Sequence, residues 1–151
     1  MGKRRQSREL AIKVLFSLDY FKTDPEECFD LICNNFDVPE NIKLFSRDLV
    51  LGVSFCLEEI DQLIDKTSKN WRLKRIGRVD RAILRLAIYE FLNRDEIPLK
   101  VSINEAVDLG KKFGGKESGA FINGLLDKIY NNIKADPKKT LKNQSSNAVE
   151  I

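Results

Sequence analysis

Arg78-Val79-Asp80-Arg81-Ala82-Ile83-Leu84-Arg85-Leu86-Ala87-Ile88-Tyr89-Glu90-Phe91-Leu92-Asn93 is the stretch on which the fold turns. Val79, Ile83, Leu86, Ala87, Ile88 and Phe91 leave little polar surface on this segment. Arg78, Arg81 and Arg85, at i, i+3 and i+7, form its one polar stripe. Apolar steps of three and four over sixteen residues belong to a helix and not to an alternating strand, so the spacing predicts a helix from about 78 to 93.

The same period continues on both sides. A short basic connector, Ser68 to Gly77, precedes the stretch, and before it Phe45, Leu49, Val53, Cys56, Ile60 and Ile64 predict one long helix from Asn41 to about Lys66. Gly52 interrupts that helix or marks a point of close packing. Asp24-Pro25-Glu26-Glu27 is a helix start, with Asp at the N-cap, Pro in the first turn and acids against the dipole, and that helix runs to about Phe36. Leu10, Val14, Leu18 and Phe21 set one stripe of a first helix, about 4 to 22, toward a core. Downstream, Ser102-Ile103-Asn104-Glu105 reads as a capping box opening a helix that ends at Gly114-Gly115. A last helix, about 116 to 133, packs Ile122, Leu125, Leu126, Ile129 and Ile133. From Lys134 on, apolar density falls away and a disordered tail over 134–151 is expected. No alternating segment competes, so the fold class is all-α with short connections.

The chain has 151 residues, which is one domain's worth, long enough to bury about 68–70% of its unfolded surface. It contains no histidine, so Ser-His-Asp and Cys-His catalysis, His-ligated zinc and imidazole switching are excluded. Cys28, Cys33 and Cys56 lack the spacing of a zinc or redox site and read as small buried hydrophobes. No run of eighteen apolar residues exists, and Lys3-Arg4-Arg5 leads into an amphipathic segment. Neither a membrane span nor a signal peptide fits, and a protein of the reducing cytoplasm is expected.

Charge is segregated. Residues 1–22 carry six basic and two acidic groups, residues 23–65 two basic and eleven acidic, and residues 66–85 eight basic and one acidic. Faces of opposite sign suit a polyanion and a basic protein as partners; ordinary solvated helix surface is the alternative. The run Lys3-Arg4-Arg5-Gln6-Ser7-Arg8 is dense in arginine forks that match phosphate oxygens, and cations at a helix start are mildly unfavourable, which points to a role in binding. Gly110-Lys111-Lys112-Phe113-Gly114-Gly115-Lys116 imitates part of a P-loop, but it follows a helix instead of a strand, and Glu117 would repel phosphate. A helix-to-helix turn is the better reading. On the last helix Phe121 falls about −100° from Ile122, outside the core stripe, on the side of Glu117 and Lys128. A ring there suits base stacking, or packing on a neighbouring helix.

Arg4-Arg5-Gln6-Ser7-Arg8-Glu9-Leu10-Ala11 with Val14-Leu15-Phe16, Arg78 to Glu90, Ile97 to Val107, and Phe113-Gly114 with Phe121 to Lys128 together resemble the bacterial transcription antitermination factor family NusB, over about residues 4 to 133. The resemblance implies two three-helix sub-bundles forming one compact domain over residues 1–133. It implies a partner, the small ribosomal protein NusE, and binding to the boxA RNA of ribosomal RNA leader transcripts within the transcription elongation complex. Carried over by position, RNA contacts would fall on Arg4, Arg5, Arg8, Phe16, Glu117 and Phe121, and the NusE surface near Ser68 and Asp80. No catalytic residue, metal, cofactor or membrane is implied. Domains of this kind also occur fused to RNA cytosine methyltransferases, whose cofactor-binding unit has no room here, so a binding module is expected and not an enzyme. A helical protein-interaction module without RNA binding is the alternative.

Overall fold

A computed structural model describes residues 2–68 and 73–135. Among them are seven α-helices: α1 Lys3–Phe21, α2 Pro25–Asn35, α3 Glu40–Phe55, α4 Leu57–Thr67, α5 Arg78–Asn93, α6 Leu99–Phe113 and α7 Lys116–Ala135, with a single 3-10 turn at Leu73–Arg75. No strand occurs among the described residues.

α5 is the post around which the rest is built. Ala82 through Ile88 are all buried, Arg85 included. A helix apolar on nearly every side needs neighbours on every side, and α5 packs on α1, α3, α4, α6 and α7. α1, α2 and α3 pack on one another, and α6 lies along α7, so α5 joins a group of three helices to a second group. This arrangement is compatible with two sub-bundles. The core stripe of α7, from Ile122 to Ile133, is buried as its spacing requires.

Local signals set several ends. Asp24 Oδ2 accepts the Glu27 amide at 3.1 Å, with Pro25 opening α2. The α6–α7 turn uses Gly115 at φ 98°, a conformation that suits glycine. Gly110 lies inside α6, so the P-loop-like run is a helix end and a turn. Cys28 and Cys33 are buried free thiols and Cys56 is partly exposed.

Three expectations need correction. The expected long helix divides at Cys56, which sits at φ −98° and ψ 13°. The bend lets α4 pack on both α5 and α7, and apolar steps continue through it as through a straight helix. α6 begins one turn early, at Leu99 after Pro98, so Ser102 is not a cap; it is buried and donates to Glu90 Oε1 at 2.7 Å. Phe21, expected in the core, is 69% exposed, because in the last turn of α1 it is Asp19 that faces α5, paired with Arg81 and Arg85. The tail expected from residue 134 lies outside the described residues apart from Lys134 and Ala135, which extend α7.

Candidate nucleic-acid interface

The first turns of α1 present the arginine run, and the structure divides it. Arg4 is exposed, its guanidinium 4.2 Å from the Phe45 ring centroid. Arg5 is half-exposed and donates to Glu105 Oε2 and Asp108 Oδ2 of α6, each at 2.8 Å. The hydrogen bond to Glu105, then that to Asp108, holds the Arg5 guanidinium above the usual arginine value. Arg8 departs from the expectation of a phosphate contact. Its side chain is 5% exposed and grips Glu90 of α5 with both forks, Nε to Oε2 at 2.8 Å and Nη2 to Oε1 at 2.9 Å. Arg8 shares its side of α1 with the buried Ile12 one turn on, and the packing of α1 on α5 closes over it.

The second basic stretch is likewise divided, and its two arginines deepest in α5 turn inward. Arg85 donates to Asp61 with two nitrogens, at 2.9 and 3.0 Å, and to Asp19 at 3.1 Å. Burial pulls its pKa down, but Asp61 and Asp19 more than offset this and leave it raised. Arg81 approaches Asp19 Oδ2 at 2.8 Å, an ion-pair contact outside hydrogen-bond geometry. Exposed cations among the described residues include Lys3 and Arg4 at one end of α1, Lys74, Arg75 and Arg78 leading into α5, and Lys111, Lys112 and Lys116 at the α6–α7 turn. Arg81 and Arg85 are thus withdrawn from the basic face that the composition of residues 66–85 suggested, while Lys74, Arg75 and Arg78 stay on it.

Several ion pairs fix α1 against α6. Besides Arg5 with Glu105 and Asp108, Glu9 accepts from Lys112 at 2.6 Å. Residue numbers rise together along the pairs, so the helices run the same way. Two turns beyond Glu9 is Phe16, 39% exposed, while just beyond Lys112 come Phe113, 38% exposed, and the turn into α7 with exposed Glu117. The sequence expectations on Phe16 and Glu117 therefore fall toward one end of the α1–α6 pair. Phe113 joins them unforeseen, with Lys112 Nζ 5.6 Å from its ring centroid; its place at a helix end, after three polar or small residues, was the available signal.

Phe121 is only partly exposed and packs against the core. Its position off the stripe on the helical wheel holds, but neighbouring helices cover part of the ring, which corrects the picture of a ring standing clear of the core. Ser68 caps α4, its amide on Ile64 O at 2.8 Å, and is partly exposed. Asp80 stands in the first turn of α5 with its carboxylate toward the α6–α7 turn; Oδ1 would be 3.2 Å from a β-carbon at Gly114. The arginines beside it turn to Asp19 and Asp61 instead. No helix among the described residues is long and apolar enough to cross a membrane.

The family model of the NusB family matches residues 5–131. The transcription antitermination protein NusB of Desulfatibacillum aliphaticivorans is 48% identical over 138 residues, which cover 91% of this chain and 96% of that protein. The same protein of Desulforapulum autotrophicum is 50% identical over 131 residues, 85% of this chain and 92% of its own length. Among solved structures, NusB of T. maritima superposes with a TM-score of 0.76 at 37% identity, covering 83% of this chain and 89% of that one. A crystal structure of the antitermination factors NusB and NusE in complex with double-stranded RNA matches with a TM-score of 0.80 at 28% identity, over 87% of this chain and 98% of that one.

Proposed function

This chain belongs to the NusB family of transcription antitermination proteins, and from that membership we propose that it binds boxA RNA of ribosomal RNA transcripts together with NusE, as part of a transcription elongation complex. The observation that carries the reading is the match, over nearly the whole chain, to the crystal structure that pairs NusB with NusE and RNA. The surface chemistry agrees with it. Arg4 and the outer donors of Arg5 offer phosphate contacts, and Phe16 and the free edge of Phe121 offer stacking area beside Glu117. Asp80, whose charge the neighbouring arginines leave alone, and Ser68 offer the NusE surface. Arg8 enters this reading as the residue that seats α1 on α5 and not as a ligand of RNA. The role is that of a binding module working in the cytoplasm, where transcript and ribosomal protein meet.

The test is a titration of labelled single-stranded boxA RNA, and of a scrambled RNA of the same length, with and without NusE. Preference for boxA that strengthens when NusE is added is the expected result. NusE binding with no RNA contribution from this chain would favour the protein-interaction alternative.

A further inference from the structure

We propose that the end of α1 and the start of α5 form a second stacking platform, made of Tyr20, Phe21 and Arg78, which holds an unpaired base of an RNA strand running on past Phe16. It rests on the RNA-binding reading above. Tyr20 is 58% exposed and Phe21 69%, two large rings side by side at the end of a helix whose apolar stripe is otherwise covered. Their centroids are 4.9 Å apart and the rings meet edge to face at 67°. The Arg78 guanidinium carbon lies 4.5 Å from the Tyr20 centroid. A ring layered with a guanidinium is a surface on which any base can stack, and one already assembled loses little freedom when a base arrives.

Charge favours the same occupant. Three arginines converge on Asp19, but Arg81 and Arg85 reach it at 2.8 and 3.1 Å, whereas Arg78 stays 3.8 Å away and 46% exposed. Arg78 is therefore the one whose positive charge is least neutralised. Lys22, exposed at the left-handed end of α1, adds a cation beside the rings. Tyr20 follows Phe16 by four residues on the outer face of α1. At 1.5 Å per residue they are about 6 Å apart along the helix, about the reach of two stacked nucleotides. The platform thus continues the proposed RNA path.

The experiment uses the full chain and a nested series of single-stranded RNAs, extended one nucleotide at a time from each end of a boxA core. Wild-type protein should gain affinity in a step once the strand reaches the platform. Tyr20→Ala and Arg78→Ala should remove that step, weakening the longer RNAs by roughly 5- to 150-fold, the range for one base–aromatic stack, while the shortest RNA binds as before and Tyr20→Trp keeps the step. Wild-type affinity that rises smoothly with length, or variants that weaken every length alike, would overturn the platform. So would Tyr20→Ala weakening NusE binding with the step intact, which would make the patch a protein surface. If wild-type protein binds no RNA of any length, the RNA reading itself fails and takes the platform with it.

Discussion

Replacing Arg8 by methionine should unfold the protein more easily without touching RNA binding directly. Methionine keeps most of the apolar stem and removes the two hydrogen bonds, at 2.8 and 2.9 Å, that satisfy Glu90. Glu90 is 2% exposed, and only the Ser102 hydroxyl at 2.7 Å remains to it. Breaking a buried pair by removing one partner costs about 3–5 kcal/mol, because the other charge stays behind without compensation. For a chain of this size each kcal/mol moves the midpoint about 2–4 °C, so a drop of about 6–20 °C is expected by far-UV circular dichroism. Adding Glu90→Leu should restore most of the loss, since an apolar pair of similar volume needs no compensation; Ser102 can turn its hydroxyl to a backbone carbonyl of its own helix. The RNA measurement separates the two roles open to Arg8. Arg4→Ala should lower the salt dependence by about 0.7 log units, one single-strand phosphate contact, while the stabilised double variant should keep the wild-type slope. An Arg8→Met protein that melts with the wild type while losing one such unit of slope would refute the structural role.

Three further outcomes follow from the packing. Phe121→Ala should lose about 1–3 kcal/mol of RNA affinity, one base stack, and, because the ring is partly covered, should also lose stability, though less than the about 3–5 kcal/mol of a fully buried phenylalanine; paired RNA titrations and urea melts measure both, and unchanged RNA affinity would make the ring mere packing. Asp80→Lys should abolish most NusE binding in a pull-down or titration while leaving the circular dichroism spectrum intact, and normal NusE binding would move that surface elsewhere. Gly52→Ala should destabilise the α3–α5 contact, because a β-carbon there would run into the Tyr89 ring; a thermal midpoint equal to the wild type would mean the ring has room to move aside.

Much of this architecture is legible one helix at a time. The steps of three and four that mark α1, α5 and α7 are local, and so are the Asp24 cap that opens α2 and the glycines that turn α6 into α7. Family resemblance, carried by residues spread from Arg4 to Lys128, supplied the functional reading, because the residues that repeat across a family include surface positions that no helical wheel can interpret. Less legible was the fate of each charge. Ser102 and Glu105 spell a capping box in sequence, yet the structure spends the hydroxyl on Glu90 and the carboxylate on Arg5.

Residue order along the chain was enough to establish that it is helical, where most helices begin and end, which apolar faces form the core, and that histidine chemistry has no place in it. Tertiary structure alone decided which basic residues remain available. Arg8 finds Glu90 across 82 positions of chain, Arg5 finds Glu105 across 100, and Arg85 draws Asp19 and Asp61 to itself. Helix formation depends on residues three or four apart and is written in their order, whereas an ion pair depends on which faces meet when separate helices pack. That meeting turns Arg8, Arg81 and Arg85 from apparent polyanion contacts into the internal wiring of the bundle, and leaves Arg4, Arg78, the lysines of the α6–α7 turn and the aromatic end of α1 facing outward.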